Sequence, residues 1–317
     1  MKKRYFLVVF MCVMIFAVYA GGAQEDTLST INVSYVKSPF NLPSILMKER
    51  GMLEEAFAEQ GIEVVYHEIC SGAKQAQAMA AGSLDIGGVM NTTSVFLAQS
   101  AGNDVRMIAG FSRPVDVFAI VVMDPEIRTI TDLKGKKIAG PKGTVLHQLL
   151  AAALDSEGCC MKDVEFIEMG LPQSSTAMIS GQIDGALLAG SLLIQAGENG
   201  AHVLTTAEGH VTPKLVIAGR GGFIDEHPEA VELYLRVHRE AMDWMESHLE
   251  EALEIGAREQ GISIDDAARL YDWTQFIDSL TETDVITMED DIEFMVENGM
   301  LREAVDPRAC ICETALR

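Results

Sequence analysis

Residues 79–91, Met-Ala-Ala-Gly-Ser-Leu-Asp-Ile-Gly-Gly-Val-Met-Asn, return in altered form at residues 178–190 as Met-Ile-Ser-Gly-Gln-Ile-Asp-Gly-Ala-Leu-Leu-Ala-Gly. Met79 and Met178, Gly82 and Gly181, and Asp85 and Asp184 are identical pairs. Three matches alone could arise by chance, but the flanks repeat as well. A strand, a Lys-bearing turn and a helix precede each copy, over 31–51 and 138–158, followed by an acidic, β-branched strand over 62–69 and 164–169. A chain that carries one structural unit twice folds into two similar lobes, and the cleft between lobes is a preferred place for a small molecule.

Within each unit short apolar strands alternate with amphipathic helices. Strands are expected at 31–36, 63–69, 84–89 and 105–111, with helices after Pro43, at 72–81 and at 93–100. Such alternation gives an α/β lobe with a mostly parallel sheet. The continuous apolar strand 117–123 follows Arg113-Pro114 and suits a crossing to the second lobe; the strand 215–219 suits the return. The first lobe is thus expected over 28–113 and 213–317, and the second over 116–211. From Pro228 to Ser247 one long helix is expected, with Val231, Leu235, His238 and Met242 on its apolar stripe, which makes His238 a packed core histidine.

Lys2, Lys3 and Arg4 precede an apolar run from Tyr5 to Ala20 that closes on small residues, the order of a secretory signal peptide over residues 1–20, cleaved near Ala20. A retained anchor is the alternative reading of a run this short. An exported, periplasmic chain is the expectation. The net charge is −23, and about −26 without those three cations, a field that repels a phosphate backbone and argues against nucleic acid as a partner. Neither Cys159-Cys160 nor Cys310-x-Cys312 has zinc-site spacing, so neither a metal nor another cofactor is expected.

Four turns follow strands and open helices: Lys37 to Asn41, Ser71-Gly72-Ala73, Asn91-Thr92-Thr93 and Lys142-Gly143-Thr144. Helix starts carry unpaired N–H groups and roughly half a positive charge, which favours an anion. Ordinary N-capping accounts for any one such turn; their recurrence beyond successive strands, where open α/β sheets bind ligands, points to a site. Lys37 could add a positive charge or simply face solvent. His147, one helical turn after Thr144, is either a polar group near the cleft or a residue packed beneath it. No Gly-x-Ser-x-Gly, His-Glu-x-x-His or phosphate-loop motif is present, and Gly219-Arg220-Gly221-Gly222 lacks dinucleotide spacing.

The stretches Tyr35 to Pro39, His67 to Gly72, Ala80 to Gly87, Asp132 to Lys137 and Lys142 to Thr144 are, in this order, similar to the extracytoplasmic substrate-binding proteins of ABC importers for aliphatic sulfonates, taurine, nitrate and related compounds. The resemblance implies a two-lobed periplasmic-binding-protein fold of type II, with two crossing strands at the hinge, closing on its ligand as a clamp. It implies a non-enzymatic protein that captures a small, anionic solute and delivers it to an ABC permease with its ATPase. A pyrimidine-precursor synthesis-like enzyme on the same fold and a ligand-sensing receptor subunit are the alternatives. Carried onto this sequence, together with the helix-start reading, it gives Lys37, Ser38, Pro39, Asn41, Ser71, Gly72, Asn91, Thr92, Thr93, Gly143, Thr144 and His147 as ligand-binding candidates. The chain departs from sulfonate- and taurine-binding relatives at Leu187-Leu188-Ala189-Gly190-Ser191, where many have a bulky aromatic and an acid. That departure removes the partner of an amine-bearing ligand and is expected to leave room for a larger one.

Overall fold

The structure, a computed structural model, describes residues 28–114 and 116–316. The signal peptide expected over residues 1–20 lies outside the described residues. From Thr30 the chain runs β1 (Thr30–Tyr35), α1 (Leu42–Glu49), α2 (Met52–Ala58), β2 (Glu63–Glu68), α3 (Gly72–Ala80), β3 (Ile86–Asn91), α4 (Thr92–Ser100) and β4 (Val105–Ser112). It crosses over and continues as β5 (Phe118–Val122), β6 (Lys137–Gly140), α5 (Val145–Ser156), β7 (Glu165–Glu168), α6 (Leu171–Ile179), β8 (Gly185–Ala189), α7 (Ser191–Glu198) and β9 (His202–Thr206). It then returns through β10 (Leu215–Arg220) and α8 (Gly221–Glu226) to α9 (Pro228–Ser247), α10 (Leu249–Gln260), α11 (Ile264–Thr274) and α12 (Glu282–Glu297).

The two sheets have the orders β2-β1-β3-β10-β4 and β7-β6-β8-β5-β9. In each, the first three strands are parallel, and the strand that follows a crossing, β10 or β5, enters antiparallel to both of its neighbours. The sheets are therefore mixed rather than mostly parallel, because a chain arriving from the other lobe enters from the opposite end. The backbone passes between lobes twice, in the segments that lead into β5 and β10, while those strands themselves lie wholly within one sheet.

The sequence repeat has a physical meaning. Gly82 and Gly181 end α3 and α6 with φ of 70° and 72°, a left-handed turn that any Cβ would strain. Asp85 and Asp184 then do the same work. Each amide donates to a carbonyl of the strand that stands second in its sheet's order, Asn32 of β1 at 2.9 Å or Lys137 of β6 at 3.0 Å. Each carboxylate accepts the amide of that same residue in return, at 2.9 Å in the first lobe and 2.8 Å in the second. Met79 and Met178 are buried one turn earlier, in the helix each glycine closes. Asp85 alone takes further partners, the Asn32 amide side chain at 3.1 Å and Arg220 at 2.9 Å.

The C-terminal helices thicken chiefly the first lobe, with α11 also touching α7 of the second. α9 packs on α1 and α2, α10 on α1, and α12 on α4. His238 is 1 % exposed and stacks on Phe111 with ring centroids 5.5 Å apart. Neither of its ring nitrogens has a hydrogen-bond partner, and burial pushes its pKa down to about 4. It is a core histidine held neutral.

A candidate anion site between the lobes

A cavity of about 740 Å³ lies between the two sheets and is lined from both lobes. Its most informative members are the residues that precede four helices: Ser71 before α3 and Asn91 before α4 in the first lobe, and Thr144 before α5 and Gly170 before α6 in the second. Only Asn91 spends its side chain on its own helix, accepting the Ser94 amide at 2.9 Å. Ser71, Thr144 and Gly170 make no side-chain cap bond, which leaves first-turn N–H groups of α3, α5 and α6 open to a ligand. Four helix starts on one cavity converge positive potential where no arginine side chain is present among the described lining residues.

The arginines that could have served are committed elsewhere. Arg106 binds Asp104 and Asp225, at 2.6 and 2.7 Å. Arg113 makes a bidentate pair with Asp284, its Nε donating at 2.8 Å. The charged lining residues are Glu68, at the end of β2, and Lys74, in the first turn of α3, both exposed.

The structure divides the candidates read from the sequence. Ser38, Pro39, Ser71, Gly72, Asn91 and Thr144 line the cavity. Lys37 turns away to Glu259 at 3.2 Å. Asn41 is fully buried and pins the turn before α1, its Nδ2 donating to the carbonyls of Val36 and Ser38 at 2.7 and 2.8 Å. The Thr92 amide donates to the Lys214 carbonyl at 3.2 Å, and the Thr93 hydroxyl to Gln148 at 2.6 Å. The Gly143 carbonyl accepts from Ser94 Oγ at 2.8 Å, a bond between lobes. His147 takes the second of its two readings: it packs on Phe166, ring centroids 4.9 Å apart, and burial, with Lys142 nearby, lowers its pKa to about 4. Thr144 sits at the N-cap position, yet its hydroxyl donates to the Pro141 carbonyl at 2.9 Å, closing the preceding turn rather than capping α5.

Several lining residues escaped the sequence reading. Gly170-Leu171-Pro172 is a helix start with proline in its first turn, a signal that was available. Gln173 folds back over Gly170, its Oε1 standing 2.5 Å from where a Cβ there would lie. Phe118, Val145, Leu146, Leu171, Ala189 and Leu192 make the second lobe's wall largely apolar. Nothing in a lone apolar residue at a helix start distinguishes such a wall from core. Cys70 also lines the cavity, with its thiol pushed up by burial and by Glu68. All five described cysteines are free, and among the described residues no cluster of three or more His, Cys, Asp or Glu is arranged to hold a metal ion.

The small residues after β8 serve a different end from the room expected of them. Gly190, at φ 55°, is pressed against the turn of the first lobe, where an added Cβ would lie 2.2 Å from the Pro39 carbonyl oxygen. The space is filled by the opposite lobe, and the lobes meet there.

Comparison with known proteins yields one pattern. The profile of a family described as NMT1/THI5 like matches residues 54–252. A Bacillus subtilis protein provisionally named as binding aliphatic sulfonates is 26% identical over 324 aligned residues, covering 100% of this chain and 96% of its own. The taurine-binding periplasmic protein of Escherichia coli is 30% identical over 192 residues, 56% of each chain. Among solved structures, the alkanesulfonate-binding protein of Xanthomonas axonopodis pv. citri with MOPS bound superposes with a TM-score of 0.78 at 20% identity, over 92% of this chain and 99% of its own. That likeness establishes the periplasmic-binding-protein fold.

Proposed function

The chain belongs to the NMT1/THI5-like family, and from that premise we propose that it is the solute-capturing component of an ABC importer, acting outside the cytoplasmic membrane. Its solute is a small organic anion of the sulfonate class, enclosed between the lobes and passed to a permease driven by its ATPase. The observation that carries this reading is the convergence of four helix starts, two from each lobe, on a cavity that is otherwise lined largely by apolar side chains. Open N–H groups near Ser71, Thr144 and Gly170 suit a trigonal ring of oxygens, and Phe118, Val145, Leu171 and Leu192 suit the carbon body attached to it.

Ser38, Pro39, Ser71, Gly72, Asn91 and Thr144 form the proposed ligand-binding set. Of these, Ser71 has a hydroxyl free of internal partners, whereas the Thr144 hydroxyl is already donated to Pro141. No carboxylate of the second lobe lines the cavity among the described residues, so an ammonium such as that of taurine has only the exposed Glu68 of the first lobe as a partner. An alkyl- or arylsulfonate fits this wall better than an aminosulfonate.

A binding role rather than catalysis is supported by what lines the cavity. Desolvation at the cavity wall and the neighbouring Glu68 push the Cys70 thiol's pKa up, which disfavours the nucleophilic thiolate. Mass spectrometry of the solute released by denaturing protein purified from its native host tests the proposal. An organic sulfonate or similar amphipathic anion is expected; a cation, or turnover of the released compound by the refolded protein, would contradict it.

A further inference from the structure

Gln148 belongs to α5 of the second lobe, yet its carboxamide is buried among groups of the first, and the residue is 2 % exposed. Its Oε1 accepts from Thr93 Oγ1 of α4 at 2.6 Å, and its Nε2 donates to Asp291 Oδ1 of α12 at 2.7 Å. The other oxygen of Asp291 stands 3.6 Å from Nζ of Lys214, which lies on the return crossing and also donates to the Thr212 carbonyl at 3.1 Å. One amide thus joins α5 to two first-lobe helices and, through Asp291, to a crossing segment. It does not line the cavity.

We infer that Gln148 is the latch of the clamp: a positioning residue that never touches the solute but sets its affinity by holding the lobes together. The inference rests on the clamp reading above. Both ends of the carboxamide are satisfied only when the lobes are closed, and interactions present in one state alone shift the equilibrium toward that state. The far side of the cleft repeats the device in weaker form. Ser191, at the start of α7, donates to Gln260 Oε1 of the first lobe at 2.8 Å, and Gln260 in turn donates to the Lys37 carbonyl. α4 and α7 are the equivalent helices of the two repeats, so each lobe offers a hydroxyl at that helix start to a glutamine of the other. Gln260 is part-exposed, which leaves Gln148 as the principal latch.

Small-angle scattering of the unliganded protein, with circular dichroism as the check on folding, tests the inference. Gln148→Leu is expected to expand the molecule relative to wild type, with the closed-to-open ratio falling on the order of tenfold to a hundredfold. Thr93→Val, which removes one bond with almost no change of shape, should expand it less and keeps the test open if the leucine variant fails to fold. Gln148→Glu has a readout that a purely structural role would not give. It sets a second carboxyl against Asp291, in a site also facing Lys214, Asp284, Asp290 and Arg113. Burial already raises the carboxyl of Asp291, so this variant should open at neutral pH and close again near about pH 5, once the two carboxyls share a proton. Folded variants that scatter like wild type at every pH overturn the inference. MOPS binding by calorimetry separates the two ideas. Wild type that ignores MOPS while its compaction depends on Gln148 would remove the sulfonate assignment and keep the latch. Wild type that closes on MOPS no more readily than Gln148→Leu would remove the latch and keep the clamp.

Discussion

The two lobes share a topology and a sequence repeat, but they meet the cavity with different chemistry. The first presents Ser38, Ser71, Asn91, Glu68 and Lys74 beside apolar Val36, Ile69, Val89, Met90 and Leu215; the second presents Phe118, Val145, Leu146, Leu171 and Leu192, with Thr144 and Gln173 as its polar members and no charged side chain among the described lining residues. The repeat sets where the helix starts point, and the side chains around them differ between the lobes. Charged side chains come from the first lobe alone among the described lining residues, whereas apolar surface and helix starts come from both. The two also differ in support: the C-terminal helices brace chiefly the first lobe and reach the second through α11 on α7, Gln260 to Ser191 and Asp291 to Gln148.

The repeated aspartates give the sharpest way to break that comparison. Asp85 is 5 % exposed and satisfies Asn32 and Arg220 as well as its backbone partner. Its twin Asp184 is half-buried and bonds the Lys137 amide. Asp85→Ala should cost about 3 kcal/mol, because it strands the half-buried guanidinium of Arg220 and the amide of Asn32, and Asp184→Ala about 1 kcal/mol. Chemical denaturation of the two variants measures this; equal losses would mean that the repeat carries equal loads.

Acid sharpens the comparison further, since each lobe holds one histidine kept neutral. His238 in the first lobe and His147 in the second both have pKa values lowered to about 4. The unfolded chain takes up these protons near its ordinary value, at about 6.5, while the folded chain refuses them until about 4. Stability is therefore full above the higher value and falls as pH drops between the two. His238 alone should account for a loss of about 3 kcal/mol, and the part-exposed His147 for less. His238→Leu should flatten the acid limb of the stability profile more than His147→Leu does.

A smaller effect separates two hydroxyls at helix starts of opposite lobes. Ser71→Ala should weaken solute binding about tenfold, as expected of a hydrogen bond to a charged group. Thr144→Ala should weaken it less, because the Thr144 hydroxyl is spent on Pro141. The reverse order in calorimetry would place the anionic head nearer the second lobe.

The architecture was legible because it rests on local chemistry: glycine at a left-handed turn after Met79 and Met178, proline opening α1, and an apolar stripe along α9. Helix starts were legible for the same reason, and they brought Ser38, Ser71, Asn91 and Thr144 to attention. What the sequence could not reveal was decided across the cleft. Thr93 looks like a capping threonine until Gln148 of the other lobe accepts its hydrogen bond, and within the first lobe Lys37 looks like a cleft cation until Glu259, more than two hundred residues on, claims it. Gly190 looks like spare room until Pro39 fills it. Partners brought together only by the tertiary fold leave no periodicity or spacing along the chain.

The central claim is that an anionic head and an apolar body are bound together in this cavity. Calorimetric titration with inorganic sulfate, taurine and straight-chain alkanesulfonates of increasing length tests it most directly. Each added methylene should strengthen binding by about 0.8 kcal/mol until the cavity between Phe118 and Leu192 is full, with taurine and sulfate the weakest of the set. Affinity that is flat with chain length, or highest for sulfate or taurine, would contradict the account.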